Sequence, residues 1–115
     1  MTLGQKQRAF TQMIARLIDF AYSNGYELTF GDAYRDPRVH GAVGEKKSYS
    51  SAVSVHKERL AVDLNLFKDG RYLTASEDHK PLGDFWKTLH PDCRWGGDFS
   101  SPDGNHYSMT HGGRS

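Results

Sequence analysis

The sequence predicts an α+β fold, a small antiparallel sheet flanked by helices, in one domain spanning residues 1–115. Three observations predict it. Apolar residues recur at helical spacing near the amino terminus and again around residues 78–89. Short alternating runs, separated by turns rich in Gly, Asp and Asn, read as strands. A chain of 115 residues, 37% hydrophobic and 25% charged, suffices for one core but not for two.

The first helix is predicted from Gln5 to Ser23, where Phe10, Met13, Ile14, Leu17, Ile18 and Ala21 form one apolar stripe. Asn24-Gly25 ends it, since both residues tolerate the left-handed conformation of a helix terminus. Tyr26 to Tyr34 alternates and is rich in aromatics, which predicts a strand broken by Asp36-Pro37. Residues 36–55 hold glycines and serines without a sustained period, the pattern of a long functional loop. Leu60 to Phe67 is the clearest strand. Leu60, Val62, Leu64 and Leu66 point one way, and Ala61, Asp63 and Asn65 the other. Asp69-Gly70 predicts a hairpin turn, with Arg71 to Thr74 returning. A second helix, Asp78 to Leu89, would bury Leu82, Phe85, Trp86 and Leu89 before His90-Pro91 closes it. Arg94 to Phe99 and His106 to Met109 are the last strands expected.

Composition excludes several classes of function. A net charge of +1 supplies no field to commit the chain to nucleic acid or to a membrane surface. A lone cysteine, Cys93, rules out an intramolecular disulfide. No apolar run approaches the roughly 20 residues that span a bilayer. The opening MTLGQKQRAFTQ lacks the features of a secretory leader. The expectation is a monomer made in the cytoplasm, with no nucleic-acid partner and no membrane insertion.

Chemistry is concentrated in two stretches. In SVHKERLAVDLN, His56 precedes Asp63 by seven residues, an odd spacing that would put them on opposite faces of a continuous strand. A shared metal would therefore need His56 in the loop before the strand. Asp63 in an apolar strand costs several kcal/mol unless paired or metal-bound; otherwise it faces solvent on an amphipathic strand. In WGGDFSSPDGNHYSM, Asp103 stands three residues before His106. Two histidines and a carboxylate with an open fourth position suit catalytic zinc, whereas structural zinc prefers a closed set of four. A plain turn also explains PDGN. Asp98 reads either as a carboxylate behind a ligand histidine or as a turn residue.

Ser54-x-His56-x4-Ala61-x-Asp63, followed by Gly96-Gly97-Asp98 and Asp103-x-x-His106, resembles the M15 zinc peptidases. That family includes D-Ala-D-Ala carboxypeptidases, vancomycin-resistance D,D-peptidases and phage endolysins that cut the L-Ala–D-Glu bond. The resemblance runs from about Tyr34 to Tyr107 and implies a hedgehog/D,D-peptidase-type fold. It implies a Zn2+ cofactor on His56, Asp63 and His106, with Asp103 as the catalytic base. Arg35, in DAYRDP, matches a family arginine that polarises the scissile carbonyl; an ion pair with Asp32 or Asp36 is its other reading. Ser54 would orient His56 or touch substrate, or merely cap a loop. Trp95 would wall the cleft or sit in the core. The family often has glycine two positions before the alanine, where this chain has Arg59, and Trp or Phe after the last histidine, where it has Tyr107. The expected activity is a phage-endolysin-like peptidase acting on the L-Ala–D-Glu bond of peptidoglycan stem peptides in the host wall. The alternatives are a D-Ala-D-Ala carboxypeptidase and a non-catalytic, zinc-containing wall-binding module.

Overall fold

The computed structural model describes residues 1–31, 58–113 and 115. The end of the predicted first strand, the predicted 36–55 loop, and the predicted site residues Arg35, Ser54 and His56 lie outside the described residues.

Helix α1 runs Leu3–Ser23, two residues earlier than its apolar stripe alone predicts. Thr2 is the reason. Its hydroxyl accepts from the Gln5 amide at 3.2 Å, while the Gln5 side chain accepts from the Thr2 amide at 2.8 Å. This reciprocal cap satisfies two amides that have no partner inside the helix. The helix ends at Asn24, with Gly25 at φ 84 beyond it. Phe10, Met13, Ile14, Leu17 and Ala21 are buried, as their spacing predicts.

Strand β1, Tyr26–Phe30, pairs antiparallel with β2, Ala61–Lys68. Asp69 at φ 52 and Gly70 at φ 76 then turn the chain into β3, Arg71–Leu73. Two successive left-handed residues are what a tight two-residue hairpin requires. The predicted second helix is split. A 3-10 turn, Ser76–His79, comes first, with the Asp78 carboxylate accepting from the Ala75 amide at 3.2 Å. Helix α2 follows at Lys80–Lys87, with Pro81 in its first turn, where no amide donor is needed. Leu82 and Trp86 are fully buried, while Phe85 and Leu89 pack at the edge of the core. Strand β4 is only Cys93–Trp95, because Gly96-Gly97 passes at once into a second 3-10 turn, Gly96–Asp98. Strand β5 is His106–Met109, as predicted.

The sheet order is β1-β2-β5-β4, with β3 also on β2. One edge of β2 carries β1. The other edge is shared: β5 pairs with Ala61, Val62 and Asp63, and β3 pairs with Leu66, Phe67 and Lys68. The two neighbours part at Leu64 and Asn65, where the Leu64 amide donates to the Asn105 carbonyl at 2.9 Å. Helices α1 and α2 cover the apolar side of the sheet. Phe10 meets Trp86 edge-on at 5.6 Å, Phe20 stacks on Phe85 at 4.2 Å, and the Trp86 indole donates to the Arg94 and Ser108 carbonyls. No helix among the described residues is long and apolar enough to cross a membrane.

Candidate active site

The site is built where β2 and β5 run side by side. Their register sets Asp63 directly opposite His106. Directly opposed residues in an antiparallel pair have their Cβ atoms close enough to interact. His106 Nδ1 lies 3.4 Å from Asp63 Oδ1, and the two side chains are 8% and 13% exposed. The predicted polar face of β2 is therefore not a solvated face at Asp63, although Ala61 beside it is buried as well. Phe99 packs on the His106 ring at 5.4 Å.

Asp103 joins this pair from the turn before β5. Ligand atoms of Asp63, Asp103 and His106 all lie within 4.8 Å of one another. The Asp103 backbone is fixed on both sides: its amide donates to the Gly96 carbonyl at 2.9 Å, and its carbonyl accepts from the His106 amide at 3.0 Å. Gly96 makes that approach possible. A Cβ there would strike the Asp103 carbonyl oxygen and come within 2.8 Å of His106 Cβ. Next along, the Gly104 amide donates to Ser76 Oγ at 3.0 Å and its carbonyl accepts from the Trp95 indole at 2.7 Å. Glycine is needed here too, since a Cβ on Gly104 would meet the Ser76 backbone.

The donor set fits a metal. An imidazole nitrogen from His106 and a carboxylate oxygen from Asp63 are both donors that zinc takes, with the Asp103 carboxylate beside them. The 3.4 Å between the His106 and Asp63 donors is close to the edge of a tetrahedron with bonds of roughly 2.0–2.2 Å. Asp103 is exposed, so the group opens to solvent on its side. The structure brings together three of the four residues predicted for the metal and the base. His56, the fourth, lies outside the described residues, as do Arg35 and Ser54.

Two other predicted residues have firm places. Trp95 is only 5% exposed, and its indole lies against Gly83 and Gly97. It supports the loop that carries Asp103, and also borders a cavity of about 510 Å³ that includes Ala75, Lys80 and Pro102. Asp98 ends the second 3-10 turn and pairs with Lys87 at 2.8 Å. Cys93 is no nucleophile. It is buried against Met13, and burial pushes its thiol up to about 12.

A second cavity, about 280 Å³, lies beside Asp103, where β3 and β5 part along β2. Asn65, Tyr72, Thr74, His79 and Asn105 line it with Asp103. Sequence reasoning did not single out Asn65, His79 or Asn105 for the site. For Asn65 a signal existed, because it lies two positions beyond Asp63 on the same strand face. His79 is 3% exposed, with Nδ1 at 2.8 Å from the Tyr107 hydroxyl. Burial lowers its pKa to about 4, with the Asp78 carboxylate opposing only in part.

Comparisons with known proteins point to a peptidase family and to a fold. A family model described as D-alanyl-D-alanine carboxypeptidase, of the M15 peptidases, matches residues 48–109, which contain Asp63, Asp103 and His106. Among solved structures, the chain is similar to the Serratia marcescens L-Ala D-Glu endopeptidase ChiX. The TM-score is 0.60 at 16% identity, over 93% of this chain and 85% of that one. This likeness extends the α+β description to a shared fold. No curated protein sequence matches the chain.

Proposed function

Because the chain belongs to the M15 peptidases, by a family match that covers more than half of it, we propose that it is a zinc-dependent peptidoglycan peptidase that hydrolyses the L-Ala–D-Glu bond of stem peptides, as a phage-type endolysin does. The observation that carries the proposal is the cross-strand pair of partly buried Asp63 and buried His106, with Asp103 beside it and open to solvent.

In this reading residues 1–115 form one catalytic domain, and His56, Asp63 and His106 hold the zinc. Zinc bound there lowers the pKa of water from 15.7 towards about 7 and polarises a carbonyl. Asp103 takes a proton from the attacking water on its carboxylate and delivers it to the nitrogen of the leaving amine. Its backbone, held by hydrogen bonds to Gly96 and His106, fixes the point from which that carboxylate reaches out. Arg35 stabilises the negative charge that develops on the scissile carbonyl oxygen, a charge absent from the ground state. Ser54 orients His56 or contacts the substrate, and Trp95 backs the cleft wall.

One observation favours an endopeptidase over a carboxypeptidase: the fold is similar to that of a protein described as an L-Ala D-Glu endopeptidase. The description of the family model favours the other reading, a D-alanyl-D-alanine carboxypeptidase. Digestion of purified sacculi separates them. The proposal expects new L-Ala carboxyl termini and new D-Glu amino termini, activity that a chelator abolishes and added zinc restores. Free D-Ala without those termini would establish the carboxypeptidase. Wall binding without any product would establish a non-catalytic module.

A further inference from the structure

The hydrogen-bonding sense of one cavity wall follows from the fold. Tyr107 is fully buried, and its hydroxyl has one hydrogen-bond partner among the described residues, His79 Nδ1 at 2.8 Å. A buried O–H needs an acceptor. An ordinary phenol keeps its proton at neutral pH, and burial lowers the pKa of His79 to about 4, so the ring is neutral there. A neutral imidazole has one N–H and one acceptor nitrogen. The Tyr107 hydroxyl therefore donates to Nδ1, and the proton of His79 sits on Nε2. The ring borders the cavity that holds Asp103, with Asn65, Thr74 and Asn105 as its other polar neighbours.

We infer that His79 offers Nε2–H to the cavity as a fixed, uncharged donor and is a specificity-determining residue that donates to a carbonyl oxygen of the substrate, from a peptide or an acetamido group. A carbonyl suits this wall better than a carboxylate. The donor carries no charge, and Asp103 at the same cavity repels a second anion. The tautomer stands on the fold alone; the identity of the substrate rests on the peptidase reading above.

The test uses the full chain with zinc and 15N-labelled histidine. Long-range 1H–15N correlation spectra report which ring nitrogen of His79 carries the proton. The probe is N-acetyl-L-alanyl-γ-D-glutamyl-L-lysine with the L-Ala–D-Glu amide reduced to a methyleneamine, so that it is not cleaved. A second probe lacking the acetyl group separates an acetamido carbonyl from a peptide one. The expected result is a proton on Nε2 in the free protein and a shift of that N–H signal when a probe binds. With the cleavable parent peptide, His79→Leu should raise KM about three- to tenfold, the effect of one lost hydrogen bond, with little change in kcat. His79→Gln, which keeps an N–H, should lose less, and Tyr107→Phe should mix the two tautomers.

A proton found on Nδ1, or a signal that neither probe moves, would overturn the inference. So would a KM equal in all variants. Cleavage by the wild type with an unmoved Nε2–H overturns the inference alone. A shifted Nε2–H without any cleavage retains it and defeats the peptidase reading instead.

Discussion

A carboxylate in the middle of an apolar strand has to be matched by something, and at Asp63 the match is His106, opposite in β5 with donor atoms 3.4 Å apart. Asp103 stands within reach of both and is exposed, whereas Asp63 is partly buried and His106 buried. That contrast suits it to proton transfer with solvent and substrate rather than to holding the pair together. Asp103→Ala is therefore expected to keep its zinc and its fold while hydrolysis falls about a hundred- to ten-thousandfold. Metal analysis beside a stem-peptide assay checks it, and loss of the zinc would make Asp103 a ligand instead. Gly96 is the second residue on which the site depends. Gly96→Ala would push its new methyl into the Asp103 carbonyl. Urea denaturation should show a loss of about 1–3 kcal/mol, the usual cost of overpacking, with a larger proportional loss of activity.

At the scale of elements, the two strands that carry the site were legible in the sequence. Alternation in LAVDLNLF marks β2, and His106 to Met109 forms β5 at its predicted bounds. Their register was not legible, because it depends on pairing between distant segments. The turn into β2 adds a point that the sequence raised without explaining. Arg59 occupies the position where the resembling family often has glycine, and its φ is 58. A left-handed residue with a side chain costs about 1–2 kcal/mol, which the greater unfolded-state freedom of glycine offsets in part. Arg59→Gly is thus expected to raise stability by up to about 1 kcal/mol, read as a higher urea midpoint with an unchanged slope. An equal or lower midpoint would mean that the interactions of the Arg59 side chain outweigh its backbone strain. The split of the second predicted helix has a similar local cause. Asp78 closes a short turn back to Ala75, and Pro81 fits the start of a new helix.

Across the whole molecule, the cavity beside Asp103 arises from strand order. One edge of β2 serves both β3 and β5, and a gap opens where they part. Nothing in a linear reading marks His79 for that gap. It is a single histidine in a short turn, and its partner is the hydroxyl of Tyr107, which a Trp or Phe at that position would lack. Its burial has a consequence for the entire fold. The pKa falls from 6.5 to about 4, so between those values the unfolded chain takes up the proton first. Stability is unaffected by this group above about pH 6.5, declines by up to about 3 kcal/mol as pH falls to 4, and levels off below. His79→Gln should flatten this part of the curve in urea denaturation between pH 7 and pH 4.5. A wild-type curve already flat there would contradict the buried neutral ring.

Anomalous scattering at the zinc edge, from crystals of the full chain grown with one equivalent of zinc, tests the central claim most directly. The expected result is a single zinc bonded to His106 and Asp63 at roughly 2.0–2.2 Å, with His56 as the third protein ligand and Asp103 close by but unbonded. A zinc bound elsewhere, or a shell without His106 and Asp63, would contradict it.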